Sequence, residues 1–346
     1  MSEMNFNPSS AAVMDSGLFG LPFDENQSLI IIIPVPWELT VSYGKGAASG
    51  PKAIREASMQ IDLYNHNYPE LWKKGIWLDQ FPDELSMLHI ELRHQADAII
   101  EAIEQGIDVE TLPEFQQRYE QINAGTEKMQ AWLFERIHFW RSQNKVVGLL
   151  GGDHSIPLAF HRLLSAEQEH YGILMVDAHL DLRNAYEGFR FSHASIFYNA
   201  LQMNTVEKLV QVGIRDYCHE EVQFVRSNTE RIKVFFDRDL RNEQYEGKRW
   251  QQQVDEMLAL LPEKVYVSID IDGLDPTLCP NTGTPVPGGL QYEELMYLLN
   301  RLFAANKEIV GFDLCEVSPG ADGQWDGNVG ARVLFQLCGL ASRSSR

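Results

Sequence analysis

Asp177, His179 and Asp181 occupy alternate positions of the segment DAHLDLR (177–183), directly after the apolar run YGILMV (171–176). Such a run reads as a buried strand, and an extended chain turns alternate side chains to one face. If the extended conformation continues, all three residues point the same way. That cluster is costly unless something positive sits among them. Two further segments repeat the design. GGDHS (151–155) follows the apolar stretch KVVGLL (145–150) and carries His154, and SIDIDGLDP (268–276) closes the run KVYVSID (264–270) with Asp270 and Asp272, again two apart. If the three strands are parallel neighbours, four carboxylates and two imidazoles converge. Like charges confined to one crevice raise each other's pKa values, so the carboxylates cannot all stay ionised without a counter-charge. Two divalent cations resolve the conflict. Oxygen-rich ligands with a minority of imidazoles suit manganese better than zinc. Two metals roughly 3.5–4 Å apart can share a bridging water and turn it into a hydroxide nucleophile at neutral pH.

The elements that must position these residues follow from apolar patterning. Strands are expected at 28–35, 145–150, 171–176, 208–214, 232–237, 264–270 and 308–314. Helices are expected from Pro51, at 85–104, about 112–143, 156–164, about 245–261, 291–305 and 328–341. Pro51 suits a first helical position, and the polar stretch 112–143 reads as a solvated outer helix. Strands alternating with helices imply βαβ units, a mostly parallel sheet covered on both faces, and a site in the crevice beyond the carboxyl ends of the strands. Residues 1–27 read as a polar extension and 28–346 as a single domain. The glycine-rich stretch SYGKGAASGP (42–51) raises the alternative of a phosphate loop, but it lacks both the GK[ST] ending and the GxGxxG spacing.

Composition narrows the function classes. The chain carries a formal charge of −20, which argues against nucleic acid or an anionic membrane as partner and is compatible with a cationic substrate. No stretch approaches the roughly 18–20 apolar residues of a membrane span, and the polar start MSEMNFNPSS has no signal-peptide pattern. Cys218, Cys279, Cys315 and Cys338 are widely spaced, as expected of free thiols in a reducing cytoplasm.

GGDHS, DAHxD and SxDxDxxDP in this order resemble the ureohydrolase family of arginases, agmatinases, formiminoglutamases and guanidino-acid hydrolases. The resemblance begins near PVPWELTVSYGKGAASGPKAIREAS (34–58), runs through NTGTPVPGGL (281–290) and ends with GFDLCEVSPGAD (311–322). It implies a three-layer α/β/α sandwich around a doubly wound, mostly parallel sheet. It also implies two manganese ions, one held by His154, Asp177, Asp181 and Asp270, the other by Asp177, His179, Asp270 and Asp272, with Asp177 and Asp270 bridging. His193, in FSHAS, falls where the family keeps a proton-shuttle histidine. Glu316, in CEVSP, falls where it keeps the carboxylate for the guanidinium group, and Asp181 joins these two as a catalytic residue. A planar guanidinium is matched by a carboxylate fork. Its poor electrophilicity calls for fixed positioning and an activated water. The leaving amine needs a proton that a histidine can supply.

The loops look closest to agmatinase-like members, which implies agmatine cleaved to putrescine and urea by a cytoplasmic enzyme, in the trimers or hexamers usual for the family. Arginases carry Asn two residues after the last Asp of DAHxD, where this chain has Arg183, so arginine fits less well. Formiminoglutamases have Arg there. An anionic substrate held by Arg183, such as formiminoglutamate or a guanidino acid, is therefore the alternative. SHAS (192–195) also stands where agmatinases usually read HGT or HGS. A metal-binding member without hydrolytic activity is a third reading. Arg183 is expected to turn away from the pocket.

Overall fold

The computed structural model describes residues 6–13, 16–109, 111–321 and 324–343. Eight strands form one sheet: β1 (Ile30–Val35), β2 (Ile76–Leu78), β3 (Val146–Gly151), β4 (Tyr171–Val176), β5 (Val206–Ile214), β6 (Ile232–Phe236), β7 (Lys264–Asp270) and β8 (Glu308–Cys315). Every strand pair is parallel. The order across the sheet is β2-β1-β3-β8-β7-β4-β5-β6. The strands of the three ligand segments are therefore not all neighbours. β7 lies beside β4, but β8 intervenes between β3 and β7, so the last strand of the chain adds its own loop to the centre of the site.

The strands are buried on both faces, and successive residues feed opposite layers. In β4, Ile173 and Met175 join the core on one side, while Leu174 and Val176 join the core on the other. On the first side pack α2 (Asp83–Glu104), α3 (Pro113–Ser142), α4 (Leu158–Ala166) and α5 (Ile196–Ala200). On the second side pack α1 (Gly50–Ser58), α8 (Trp250–Ala259), α9 (Tyr292–Ala304) and α10 (Trp325–Ala341), with Leu240 from α7 (Asp237–Tyr245). The nine-residue α6 (His219–Ser227) follows β5. This is the three-layer sandwich expected from the βα alternation. Each fully buried Leu, Ile or Val contributes roughly 1.5–3 kcal/mol, so two continuous apolar layers hold the strand ends firmly.

Some elements depart from the sequence expectation, β2, α6 and α7 having no counterpart in it. Residues 16–23 are not merely a polar leader: Leu18, Phe19, Leu21 and Phe23 are buried in the core, and Phe19 meets Phe335 of α10 edge to face. Helix α3 is polar outside, yet Ile122, Thr126, Met129, Leu133, Ile137 and Trp140 recur every three or four residues and are buried. Its Tyr119 hydroxyl donates to the Glu187 carbonyl at 2.7 Å, which ties this helix to the loop leading to His193. The glycine-rich stretch cradles no phosphate, because the backbone N–H groups of Gly46 and Ala47 already donate to the Glu38 carboxylate at 2.9 and 3.3 Å. Its glycines serve close approach instead. A Cβ on Gly44 would lie 2.4 Å from the Gly283 carbonyl oxygen, and one on Gly50 would lie 2.3 Å from that of Val317.

Candidate metal centre

β3, β8, β7 and β4 end together, and the last residue of β7 together with the loops after β3, β4 and β7 carries every ligand-type residue singled out in the sequence. His154 Nδ1 lies 3.0 Å from Asp177 Oδ2, 3.1 Å from Asp181 Oδ2 and 3.4 Å from Asp270 Oδ2. His179 Nδ1 lies 3.1 Å from Asp272 Oδ2 and 3.5 Å from Asp177 Oδ1. Ligand atoms of His154, Asp177 and Asp270 all lie within 4.8 Å of one another, as do those of Asp177, His179 and Asp272. Two triads thus share Asp177. Asp270 belongs to the first triad only, and its Oδ1 accepts from the Asp272 N–H at 2.8 Å.

The chain does not stay extended after β4. Asp181 has φ 52°, a left-handed conformation that Asp tolerates better than most residues. That turn leaves Asp177 and Asp181 facing His154 while His179 faces Asp272. Backbone N–H groups fix the carboxylates further: Ala178 donates to Asp272 Oδ1 at 3.0 Å, and His179 donates to Asp177 Oδ1.

The electrostatics are those of a cation site. Burial, followed by the neighbouring Asp177 charge, pushes the Asp181 carboxyl up to about 7. Burial and the charges of Asp272 and Asp177 push Asp270 well above the carboxylate range. Burial opposes charge on His154, yet hydrogen bonds to Asp177, Asp181 and Asp270 raise it well above the usual imidazole value. His179 is raised in the same way by Asp272 and Asp177. Burial alone would raise Asp272 too, but His179 draws it below the usual range. Protons here do what cations of higher charge would do better. Four buried carboxylates with two imidazoles, grouped in two triads around a shared Asp, fit a pair of divalent ions.

Side chains behind the ligands hold them in place. His154 Nε2 is 2.9 Å from Ser268 Oγ, whose hydroxyl donates to Asp313 Oδ1 at 3.0 Å. Thr284 Oγ1 donates to Asp272 Oδ2 at 3.2 Å. Such partners hold a ligand's orientation and tautomer. None of them was singled out from the sequence, where Ser, Thr and one further Asp carry no distinctive spacing.

Glu316 follows β8 with φ 62° and is buried. Its Oε1 accepts from the His154 N–H at 2.9 Å, and its own N–H donates to the Gly152 carbonyl at 2.8 Å. Burial first, then the charges of Asp270 and Asp153, raise its carboxyl well above the ordinary range. A guanidinium is the kind of cation that would restore its charge.

His193 opens a short 3-10 turn capped by Ser192, whose hydroxyl accepts from the Ala194 N–H at 3.3 Å. Its Nδ1 is 3.2 Å from Thr40 Oγ1. Burial, with the positive charges of His179 and His154, lowers it to about 3. His193 lines a cavity of about 180 Å³ with His179, Asp181, Arg183, Thr284 and the rings of Tyr43, Tyr186 and Tyr217. Arg183 therefore does not leave the pocket, as the sequence had suggested. It lines the rim, with Nε 3.8 Å from Glu221 Oε2 and its guanidinium 4.7 Å from the Tyr186 ring centre.

Comparison with known proteins gives a consistent result. A sequence model of the Arginase family matches residues 28–339. The N(1)-aminopropylagmatine ureohydrolase of Thermus thermophilus is 32% identical over 323 residues, 92% of each chain. The agmatinase of Pyrococcus horikoshii is 31% identical over 316 residues, 90% of this chain and 92% of that one. Among solved structures, the agmatine ureohydrolase of Thermoplasma volcanium superposes with a TM-score of 0.66 at 20% identity, covering 95% of this chain and 94% of that one. Proclavaminate amidinohydrolase from Streptomyces clavuligerus gives 0.68 at 23% identity, covering 97% and 100%. At those identities the structural likeness speaks for the fold.

Proposed function

The chain belongs to the arginase family, a hydrolase of the ureohydrolase type, and from that premise we propose that it is a binuclear manganese enzyme releasing urea from a guanidino compound with an aminoalkyl tail. Agmatine is the simplest such substrate, and its N1-aminopropyl derivative, named for the Thermus relative, is the longer one. The observation that carries the chemistry is the pair of triads sharing Asp177, buried except for the half-buried His179, with Glu316 hydrogen-bonded to the same loop as His154.

His154, Asp177, Asp181 and Asp270 would hold one ion, and Asp177, His179 and Asp272 the other, with Asp270 as the second bridging carboxylate expected of the family, its Oδ1 accepting from the Asp272 N–H. Oxygen donors outnumber nitrogens four to two, which favours manganese over zinc. When bound, the ions supply Lewis acidity and water activation at neutral pH. The rest falls to side chains. Glu316 orients the planar cation, its second carboxylate oxygen being left after Oε1 takes the His154 N–H. His193 is neutral in the resting protein, so it begins as a proton acceptor. It takes a proton from the attacking side and returns it to the departing amine. Thr40 fixes the ring for both transfers.

The tail reading is supported by the cavity mouth. Asp216 lines it, is exposed, and its carboxylate has no ion-pair partner among the described residues, while Tyr43 and Tyr217 present exposed rings. Carboxylate and aromatic faces suit an alkylammonium. The presence of Arg183 on the same rim keeps an anionic substrate as the second reading. Within the described residues no helix is long and apolar enough to cross a membrane. A cytoplasmic, oligomeric enzyme is the accompanying expectation, supported by the four free cysteines.

The test is a urea assay with manganese over agmatine, N1-aminopropylagmatine, arginine, 4-guanidinobutyrate, guanidine and formiminoglutamate, the last followed by formamide release. Highest kcat/KM on an aminoalkyl guanidine supports the proposal. Highest kcat/KM on a carboxylate-bearing substrate replaces it with the second reading, and no turnover with full metal occupancy rejects both.

A further inference from the structure

Arg183 is the one Lys or Arg among the residues lining the cavity, so its charge should decide which tails are admitted. Its surroundings show how that charge is managed. Glu221 is the third residue of α6 and is buried. Its Oε2 accepts from the Cys218 N–H at 3.0 Å, and its Oε1 accepts from the Leu182 N–H at 3.1 Å. The carboxylate is therefore bolted to two backbone segments, one of them the residue before Arg183. The Arg183 N–H donates to the Ala194 carbonyl at 3.0 Å, which fixes the base of the arginine as well. Its guanidinium then rests between Glu221 and the Tyr186 ring, and it lies within electrostatic reach of Glu187. Tyr186 meets His193 edge-on at 6.0 Å, so this assembly forms the wall of the cavity beside the proposed shuttle.

We propose that Glu221 determines the substrate charge preference by holding Arg183 as a neutral pair against Tyr186, so that the rim accepts an ammonium tail where an unpaired arginine would select a carboxylate. The proposal rests on the aminoalkyl reading above. A buried carboxylate fixed by backbone donors cannot follow the arginine outward, and an arginine stacked on a ring and paired on its edge gives up little of its field to a passing anion. Removing Glu221's charge leaves the guanidinium in place and exposes its full charge to the tail.

The experiment measures kcat/KM for agmatine and for 4-guanidinobutyrate in the manganese-loaded wild type, Glu221→Gln, Arg183→Ala and the double variant. Glutamine can occupy the same helix-capping position, and circular dichroism checks the fold. Glu221→Gln should shift the ratio of the two constants toward guanidinobutyrate by at least tenfold. Arg183→Ala should shift it at least threefold toward agmatine, and the double variant should return within threefold of wild type. A folded Glu221→Gln with an unchanged ratio overturns the proposal, as does a double variant that behaves like Glu221→Gln alone. If Glu221→Gln does not fold, Arg183→Ala decides, and an unchanged ratio there is equally fatal. A wild type that prefers guanidinobutyrate instead defeats the functional reading, a separate outcome visible before any variant is made.

Discussion

Stripped of metal, the protein should lose stability as the pH rises from 7 to 8.5. His154 and His179 are held well above the ordinary imidazole value by the carboxylates around them, despite burial, and Asp270 well above the carboxylate range by burial and its acidic neighbours. In the unfolded chain these groups have pKa values near 6.5 and 3.9, so each releases its proton at a lower pH in the unfolded state than in the folded one, and between the two values only the folded state holds it. A raised folded pKa contributes stability that is complete below the unfolded value and disappears as pH climbs through the folded one. Each retained proton therefore makes stability fall by about 1.4 kcal/mol per pH unit. Over 1.5 units one proton amounts to about 2 kcal/mol, or roughly 3 °C in Tm for a chain of this size, and two protons to about twice that. His193 and His161, both lowered to about 3, are neutral in both states above pH 7 and add nothing. Asp181, at about 7, has lost most of its contribution before the window opens. Metal ligands are deprotonated when bound, so saturating manganese should flatten the slope. Calorimetry on EDTA-treated, dialysed protein and on the manganese-loaded form at pH 7, 7.5, 8 and 8.5 measures both. Parallel slopes for the two forms, or a metal-free Tm that holds level or rises, would refute the reasoning.

Asp177→Ala removes the residue shared by both triads, and should abolish most turnover together with metal content by elemental analysis. Full occupancy with unchanged turnover would remove Asp177 from the centre. His193→Ala should lower kcat by roughly 10²–10⁴-fold with metal retained, and loss of metal would recast the residue as structural support. Arg183→Ala should leave agmatine turnover within a few-fold of wild type, since the guanidinium is already committed to Glu221 and Tyr186; a collapse in kcat/KM would make it a substrate contact. Gly44→Ala should destabilise the protein by about 2 kcal/mol or more, the scale of core overpacking, because its Cβ meets the Gly283 backbone at 2.4 Å. An unchanged Tm would mean that the two loops can part.

The centre was legible because metal chemistry restricts both residue type and spacing, and because His154, Asp177 and Asp270 follow apolar runs too strong to be anything but strands. Other features have no local signature. The place of β8 between β3 and β7 is a long-range pairing, so Glu316's approach to the His154 backbone came only with the structure. The left-handed turn at Asp181 cannot be read from DAHLDLR, whose alternation suggests a plain strand. β2 was missed because Ile76–Leu78 is too short to show a period, and α6 and α7 because they are short and polar. Residues 18–23 looked like part of a polar leader because their burial comes from packing into the distant core, Phe19 against Phe335, and not from an internal repeat. Arg183 was placed wrongly because its partner, Glu221, lies on a different element, and no pairing between the two is written in the sequence.

The strand order also bears on biosynthesis. β1 to β3 make one half of the sheet and β4 to β6 the other, and these halves share no strand edge until β7 and β8 slot between them. Each half can begin to collapse while the ribosome is still working, but His154 cannot meet Asp177 until the seventh and eighth strands have emerged. Long-range parallel pairing of this kind is slow. The nascent chain therefore spends most of its synthesis with its acidic strand ends apart and without hydrolytic capacity, and activity arrives in a single late step. A ribosome stalled before residue 308 leaves a product with five of the six metal-ligand side chains on one half and the central strand gap open, a species for quality control to degrade and not a weak enzyme.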